Sequence, residues 1–298
     1  MLNFKPLTLE DKVFFDRYLK PYNFVTCEYS FTNLFIWRKG CDIEYTILDD
    51  ALIIRKMDFD GNYHFMQPIG YTKENLREIT EELVQYRNET NMEFLFKDVE
   101  ASFLKELKEV YGNYLLIEED RDNFDYIYQS KDLISLSGKK FHGKKNHYNN
   151  FIKNNSYRTD AISNENIDLC MQAAKEWCNK NDCKGYLLYE LRAIGELLKN
   201  SAKLDFTGMV VYVNEKIAAF TLGEKLNDDM AVIHIEKADS DINGLYAFIN
   251  KSFVETYFND IPYINREQDL GIEGLRKAKE SYNPIRLEPK YKIDLLQR

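Results

Sequence analysis

Apolar residues along this chain follow two periods, and the switches between them mark out its elements. Leu76, Ile79, Leu83 and Tyr86 recur every three or four positions, predicting a helix over residues 73–87, and Leu104, Leu107 and Val110 predict another over 99–110. The same period holds over 8–19, with Thr8 as N-cap and Pro21 as stop, and the aromatic segment 24–37 holds a second short helix. Short strand-like runs lie at 43–48, 52–56 and 63–66, separated by turns at Asp49-Asp50 and Asp60-Gly61-Asn62; further strands are expected at 92–96, 114–117 and 124–128. In the second half, helices are expected at 142–154, 167–179, 189–198, 245–258 and 272–280. Its strands are a meander over 206–213, 217–222 and 230–237, with others at 157–162, 262–265 and 284–295.

The order of elements repeats between the halves, although no residue-level repeat is visible. A meander of consecutive strands is foreign to pure α/β winding, so the fold class is α+β, with mixed, mostly antiparallel sheets flanked by helices. At 298 residues the chain has room for two domains of about 150. The composition changes abruptly near Gly138, which places the domains at 1–137 and 138–298, the second carrying the active site.

The net charge is -9, so the overall field repels nucleic acid and anionic lipid, and any polyanion must meet a local basic patch. One such patch exists. Lys139, Lys140, Lys144, Lys145 and Lys153 fall in 15 residues with His142 and His147, and no acid occurs between Asp132 and Asp160. A helix here puts Lys140, Lys144 and His147 on one face beside a stripe of Phe141, Tyr148 and Ile152. Its partner is either a phosphate-bearing ligand or the acidic body of the protein itself. The same residues approach a phosphate-binding loop, Gly138-x4-Gly143-Lys144, but Lys145 stands where a magnesium-binding hydroxyl is needed, which excludes NTP hydrolysis. The five cysteines include no Cys-x-x-Cys pair and read as reduced thiols in a cytoplasmic protein, with no metal site. The N-terminal segment is charged throughout, and no apolar run reaches the roughly 20 residues of a membrane span.

Three further stretches hold candidate chemistry. On a strand, His234 and Glu236 point the same way, with Lys237 opposed, so the pair is either a base for catalysis or a hydrogen-bonded core histidine with a solvated neighbour. Asn243 and Gly244 precede an amphipathic helix, where backbone N–H groups suit a diphosphate or an oxyanion, although Asn-Gly is also ordinary turn chemistry. Residues 263–284 run from a strand through Asn265, Arg266, Glu267, Gln268 and Asp269 to a helix that ends near Tyr282. Asp269 or Gly271 caps that helix, from which Arg276 projects.

The order meander, Gly-bearing loop, helix, strand, helix, strand resembles the GNAT acyltransferase fold, and Ala278-x-x-x-Tyr282 is similar to its late helix, where a tyrosine acts as general acid. Two such halves joined by a basic helix ending in Asn149-Asn-Phe-Ile152-Lys-Asn-Asn155 resemble the Fem-type aminoacyl-tRNA-dependent transferases. The segments 138–146, Glu236-Lys237 and 265–279 are similar to uncharacterised bacterial proteins related to the C-terminal domain of phosphatidylglycerol lysyltransferase. The resemblance implies two tandem GNAT-like domains, with a donor between the strand ending at Lys237 and the strand ending at Asn265. The donor is acyl-CoA or aminoacyl-tRNA, used as co-substrate with no tightly bound cofactor, and tRNA meets the basic helix. The acceptor is the amine or hydroxyl of a small molecule, peptide or lipid headgroup.

Roles follow from that reading. Amides near Lys237 and Ala238 hold the oxyanion, and Glu236 or Glu267, with His234 beside them, takes the nucleophile's proton. Tyr282 protonates the leaving group, Asn265 and Asp269 orient the acceptor, and Lys144, Lys145, Arg276, Asn243 and Gly244 meet the donor. Segment 240–244 has fewer Gly and Arg than the usual coenzyme A loop, and the lysyltransferase's membrane-spanning half is not in this sequence. The alternative is a catalytically silent pair that binds nucleotide, CoA or tRNA.

Overall fold

Asp49 and Asp50 both take left-handed backbone (φ 46° and 63°), so the strands around them meet in a two-residue hairpin with Leu48 opposite Ala51. Positive φ at both loop positions matches the right-handed twist of paired strands. The structure, a computed structural model, describes residues 2–296, which form two units: one up to Phe124 together with the tail from Glu288, the other Asp125–Leu287.

In the first unit β1 (Lys5–Pro6), β2 (Glu44–Leu48), β3 (Ala51–Met57), β4 (Tyr63–Phe65), β5 (Phe96–Val99) and β6 (Leu115–Glu119) are joined by β14 (Tyr291–Leu295) from the end of the chain. The strand order is β1-β2-β3-β4-β5-β14-β6, antiparallel except for one parallel step, β4 to β5. Helices α1 (Lys12–Leu19), α2 (Phe31–Trp37), α3 (Leu76–Thr90) and α4 (Ala101–Tyr111) flank it. The helical stripes seen in the sequence are the buried ones: Leu76, Ile79 and Leu83 of α3 and Leu104 and Leu107 of α4 share a core with Phe65, Phe96 and Ile293.

The second unit contains β7 (Asp125–Gln129), α5 (Ser130–Ser135), α6 (His142–Asn154), β8 (Tyr157–Ala161), α7 (Ile167–Lys180), α8 (Tyr186–Lys199), β9 (Thr207–Val213), β10 (Lys216–Lys225), β11 (Met230–Ala238), α9 (Leu245–Tyr257), β12 (Tyr263–Asn265), α10 (Glu273–Glu280) and β13 (Arg286–Glu288). Its strand order is β13-β7-β12-β11-β10-β9-β8, with β11 and β12 parallel. The hairpin device recurs, since Asn214 and Glu215 (φ 51° and 62°) join β9 to β10 with Val213 opposite Lys216. In both units a meander leads to one parallel step, and the strand beyond that step is antiparallel and comes from elsewhere in the chain.

Three expectations are corrected. The break between units lies at Phe124/Asp125 and again at Leu287/Glu288, not at Gly138, because β7 pairs with β12 while β14 returns to the first sheet. The single strand expected over 284–295 is two strands in different sheets, interrupted at Pro289, which has no N–H to donate. The cysteines are not all thiols: Cys178, at the end of α7, and Cys183 are joined as a disulfide across a Cα separation of 4.8 Å. Cys27, Cys41 and Cys170 are buried and outside the disulfide, and burial pushes the Cys41 thiol up to about 11.

A fragment of residues 1–137 carries β7 without β12 and leaves β5 and β6 without β14. We expect it to lack the cooperative thermal transition of the full chain, as measured by circular dichroism. A sharp transition in that fragment would contradict the topology.

Candidate active site

His234 is an extra residue in β11. The register with β10 pairs Ile235 with Leu222 but Ile233 with Gly223, so His234 bulges out of the ladder. The backbone closes tightly opposite, where a Cβ on Gly223 would lie 2.5 Å from the Val232 carbonyl. A bulge resets alternation. Ala231 and Ile233 pack with Phe253 and Val254 of α9, and past the bulge Glu236 bonds Asn250 while Ala238 packs with Phe248 and Ile249 of the same helix. His234 and Glu236 therefore take separate partners: of the two readings, His234 fits the hydrogen-bonded core histidine, while Glu236 is buried and bonded, not solvated.

The parallel ladder between β11 and β12 runs only from Met230↔Tyr263 to Val232↔Asn265, while β11 stays paired with β10 as far as Ala238. Residues 233–238 thus line an edge from which β12 has parted. The chain beyond Asn265 pairs with β7 instead, through Arg266 N to Tyr126 O and Tyr126 N to Glu267 O.

Side chains bridge the parted edge. Arg266 Nη2 donates to Glu236 Oε1 at 2.8 Å, and Asn250 Nδ2 to Glu236 Oε2 at 2.8 Å. The Arg266 guanidinium lies 4.5 Å from the Tyr282 ring centre and 5.5 Å from that of Tyr128, and Lys144 Nζ reaches in from α6 to 3.9 Å from the Tyr282 ring. Arg266 Nη1 and Asn250 Oδ1 are buried without a protein partner. Burial raises the Tyr282 phenol, Glu236 adds to this and Arg266 opposes it, so the hydroxyl keeps its proton. Burial first, and then the positive charge of Arg266, lower the Lys144 ammonium to about 8 against the pull of Glu236.

This grouping gathers Glu236, Tyr282 and Lys144, as the sequence suggested, with Arg266, Asn250 and Tyr128, which it did not assign. Arg266 lies inside the polar run already noticed. Asn250 is the one amide in an otherwise apolar buried stripe of α9.

The remaining expected residues do other work. His234 is clamped, with Nδ1 2.7 Å from Glu267 Oε1 and Nε2 2.9 Å from Glu224 Oε1. Burial alone would lower its pKa, but hydrogen bonds and charge from the two carboxylates raise it to about 10. At neutral pH it is an imidazolium, not a base. Asn265 is fully buried; it donates to Asp125 and accepts from Glu267 N, which shapes the turn rather than facing an acceptor. Asp269, also fully buried, takes Tyr126 Oη, Gly271 N and a two-point contact from Arg276. Burial would raise its carboxyl, but these bonds hold it well below the usual range. Arg276 is thereby committed to Asp269 instead of to a phosphate.

Lys237 points to the other face of the sheet, 2.7 Å from Glu190 and 3.8 Å from the Trp177 ring. Burial raises the phenol of Tyr246, and the neighbouring Trp177 side chain and Ala238 backbone oppose that rise. Asn243 and Gly244 do not form an open anion loop. Asn243 Oδ1 lies 3.1 Å from His147 Nδ1, and a Cβ on Gly244 (φ 85°) would lie 2.0 Å from the His147 carbonyl, so α6 covers the start of α9. Along α6 and the turn just before it, Phe141 and Phe151 are inward and Lys140 pairs with Asp132, while Lys139, Lys145 and Lys153 are exposed.

Residues 19–293 match the family described as the C-terminal region of phosphatidylglycerol lysyltransferase, and the chain belongs to that family. A crystal structure of a conserved protein of unknown function from Bacteroides thetaiotaomicron is 35% identical, covering 99% of this chain and 100% of that one, with a TM-score of 0.91. An uncharacterised protein of Mycoplasmoides gallisepticum is 27% identical over 190 residues, 61% of this chain, and the chain spans only 58% of that relative. L-PGS from Bacillus licheniformis shares the fold at 16% identity and a TM-score of 0.62, over 88% of this chain and 90% of that one. Both units are GNAT-like and stand in tandem, the fold also found in a Fem-type structure. Among the described residues no helix is long and apolar enough to cross a membrane.

Two expected outcomes test this geometry. The folded protein keeps the His234 proton to about pH 10, whereas an unfolded histidine loses it near 6.5. The clamp's stabilisation is therefore complete below about 6.5 and lost as pH rises towards 10. Urea unfolding should show the advantage over His234→Gln shrinking across that window. Gly244→Ala, strained in φ and opposed by the His147 carbonyl, should cost about 1–3 kcal/mol of stability in the same assay.

Proposed function

We propose that this protein is an aminoacyltransferase that moves an activated carbonyl from an aminoacyl ester, of the kind carried on tRNA, to an amine or hydroxyl acceptor. The observation that carries the reading is the parted edge at residues 233–238, where Glu236, Arg266, Asn250, Tyr282 and Lys144 converge from β11, the β12 end, α9, the α10 end and α6. Family membership supports the aminoacyl class, since the family is described by a lysyltransferase and the Bacillus licheniformis structure is an L-PGS.

In the reaction the acceptor's lone pair forms the new bond to the carbonyl carbon and the ester C–O bond breaks. The nucleophile's proton goes to Glu236, and the departing oxygen takes one from Tyr282, whose raised pKa keeps it a donor. Arg266 and Lys144 stabilise the negative charge that builds up on the way. The exposed lysines of α6 meet donor phosphates. A coenzyme A donor is disfavoured because α6 lies against Gly244, where a diphosphate would need open amides.

One observation favours a second reading, binding without turnover: both oxygens of Glu236 are already engaged, by Arg266 and by Asn250.

Incubating the full chain with radiolabelled aminoacyl-tRNAs and a panel of amine and hydroxyl acceptors separates the two. Turnover that falls by about 10²-fold or more in Tyr282→Phe, with the fold intact, is the expected result. Binding without any transfer, with Tyr282→Phe binding equally well, supports the second reading. In either case, replacing both Lys145 and Lys153 with alanine should flatten the dependence of log affinity on log salt by roughly 0.7–0.9 for each phosphate that is no longer neutralised.

A further inference from the structure

The two sheets end in edges of different kinds. β1 is short and contains Pro6, β13 has three residues, and β6 carries Glu118 and Glu119 side by side. Brevity, proline and like charges guard an edge against pairing with another chain. β8 lacks all three. It is five residues long, Tyr157-Arg-Thr-Asp-Ala161, and every one of them is exposed. Among the described residues it pairs on one side only, with β9, at the end of the second sheet.

The register shows which backbone groups face outward. Ile162 N donates to Gly208 O at 2.9 Å, in line with the pairing that runs from Tyr157↔Val213 to Ala161↔Met209. Alternate residues make the bonds of an antiparallel ladder, so Arg158 and Asp160 bond to β9 while Tyr157, Thr159 and Ala161 turn their N–H and C=O groups away from it. Ala161 O accepts from Asn166 Nδ2 at 2.9 Å, which closes the edge at that end.

The charges on this strand are symmetric about Thr159. Two copies laid antiparallel, with Thr159 opposite Thr159, place Arg158 of each opposite Asp160 of the other. Thr159 is then a hydrogen-bonded pair. The Arg158–Asp160 pairs are of the other kind, in which opposed Cα atoms come within about 4.5 Å and side chains meet most closely. The neighbouring symmetric registers, centred on Arg158 or on Asp160, set like charges opposite each other. Arg158 is also held ready on the sheet: it bonds Asp160 of its own strand, its Nε lies 3.8 Å from Glu215, and its guanidinium lies 3.5 Å from the centre of the Tyr212 ring. Pairing therefore adds an opposite charge without ordering a loose side chain.

We propose that β8 is a self-association edge, joining two copies of this chain through an antiparallel seam centred on Thr159 and merging their second-unit sheets into one. About four backbone hydrogen bonds and two reciprocal Arg158–Asp160 pairs cross the seam. Phe151 of α6 packs against Tyr157, and the two-fold axis runs perpendicular to the sheet, so the basic helices of both copies lie on one face. The proposal is independent of the transfer reading.

A seam of five residues a side falls below the roughly 1,200–2,000 Å² buried in stable interfaces, so association is reversible. Sedimentation velocity from about 1 to 300 µM should show the full chain passing from monomer to dimer. Arg158→Asp and Asp160→Arg each set like charges opposite one another, and each alone should dimerise at least about tenfold more weakly while keeping its thermal transition. Mixed in equal amounts, the two variants meet opposite charges at both positions and should regain the dimer. Thr159→Pro removes an outward N–H that β9 does not use, and should be monomeric. A wild-type chain still monomeric at about 300 µM, a dimer that all three substitutions leave unchanged, or a mixture of the charge variants no better associated than either alone would overturn the proposal.

Discussion

A parallel pair of strands that separates within a sheet leaves backbone and side chains that the ladder no longer satisfies, and the second unit depends on how that loss is made good. Past Val232 and Asn265 the work passes from backbone bonds to ionic ones: Arg266 to Glu236, and His234 to Glu224 and Glu267. Each is buried, so each would be costly if one partner were missing. Desolvation and pairing together explain why this small volume holds an imidazolium that does not titrate near neutrality, a phenol that stays protonated and a lysine held near its point of deprotonation.

The first unit meets the same problem with the same parts. Its parallel step is also brief, a single pairing of Phe65 with Phe96, and is followed by a basic residue and an acid with left-handed backbone, Lys97 and Asp98 (φ 56°). The second unit has Arg266 and Glu267 (φ 57°) in the corresponding place. A fully buried histidine lies beside the acid each time: His64 Nε2 is 3.5 Å from Asp98, as His234 is clamped by Glu267. In the first unit, however, Lys56 pairs with Asp98 at 2.6 Å and Lys97 with Asp58, so the gap is closed by matched charges. The halves are thus related beyond the order of their elements, through a four-part constellation too dispersed to be seen as a sequence repeat.

Much of this was legible in the sequence. Helical stripes such as Leu76, Ile79 and Leu83 declare their buried face because the period is local and strong, and tight turns such as Asp49-Asp50 announce themselves by residue type. The organising importance of residues 263–284 was legible too, since an unbroken polar run beside buried elements needs a reason. The partners within it were not. Whether Asp269 faces a substrate or Arg276, and whether Glu236 shares a face with His234, is decided by one bulged residue and by a strand that arrives from more than a hundred residues away. Periodicity counts positions along one segment and has no access to either fact. The boundary at Gly138 failed for a related reason: composition marks the basic helix, while membership of a sheet is set by β7, whose pattern suits either unit equally well.

The placement of β14 bears on how the chain is made. It lies between β5 and β6, so the first sheet has an unfilled slot until residues 291–295 have been added. On the ribosome the earlier strands of that sheet emerge long before the one they lack. During that interval Phe96, Leu104 and Leu107 go without the cover that Ile293 supplies, and two open strand edges are exposed to neighbouring chains. The first sheet to be synthesised is therefore the last to be completed.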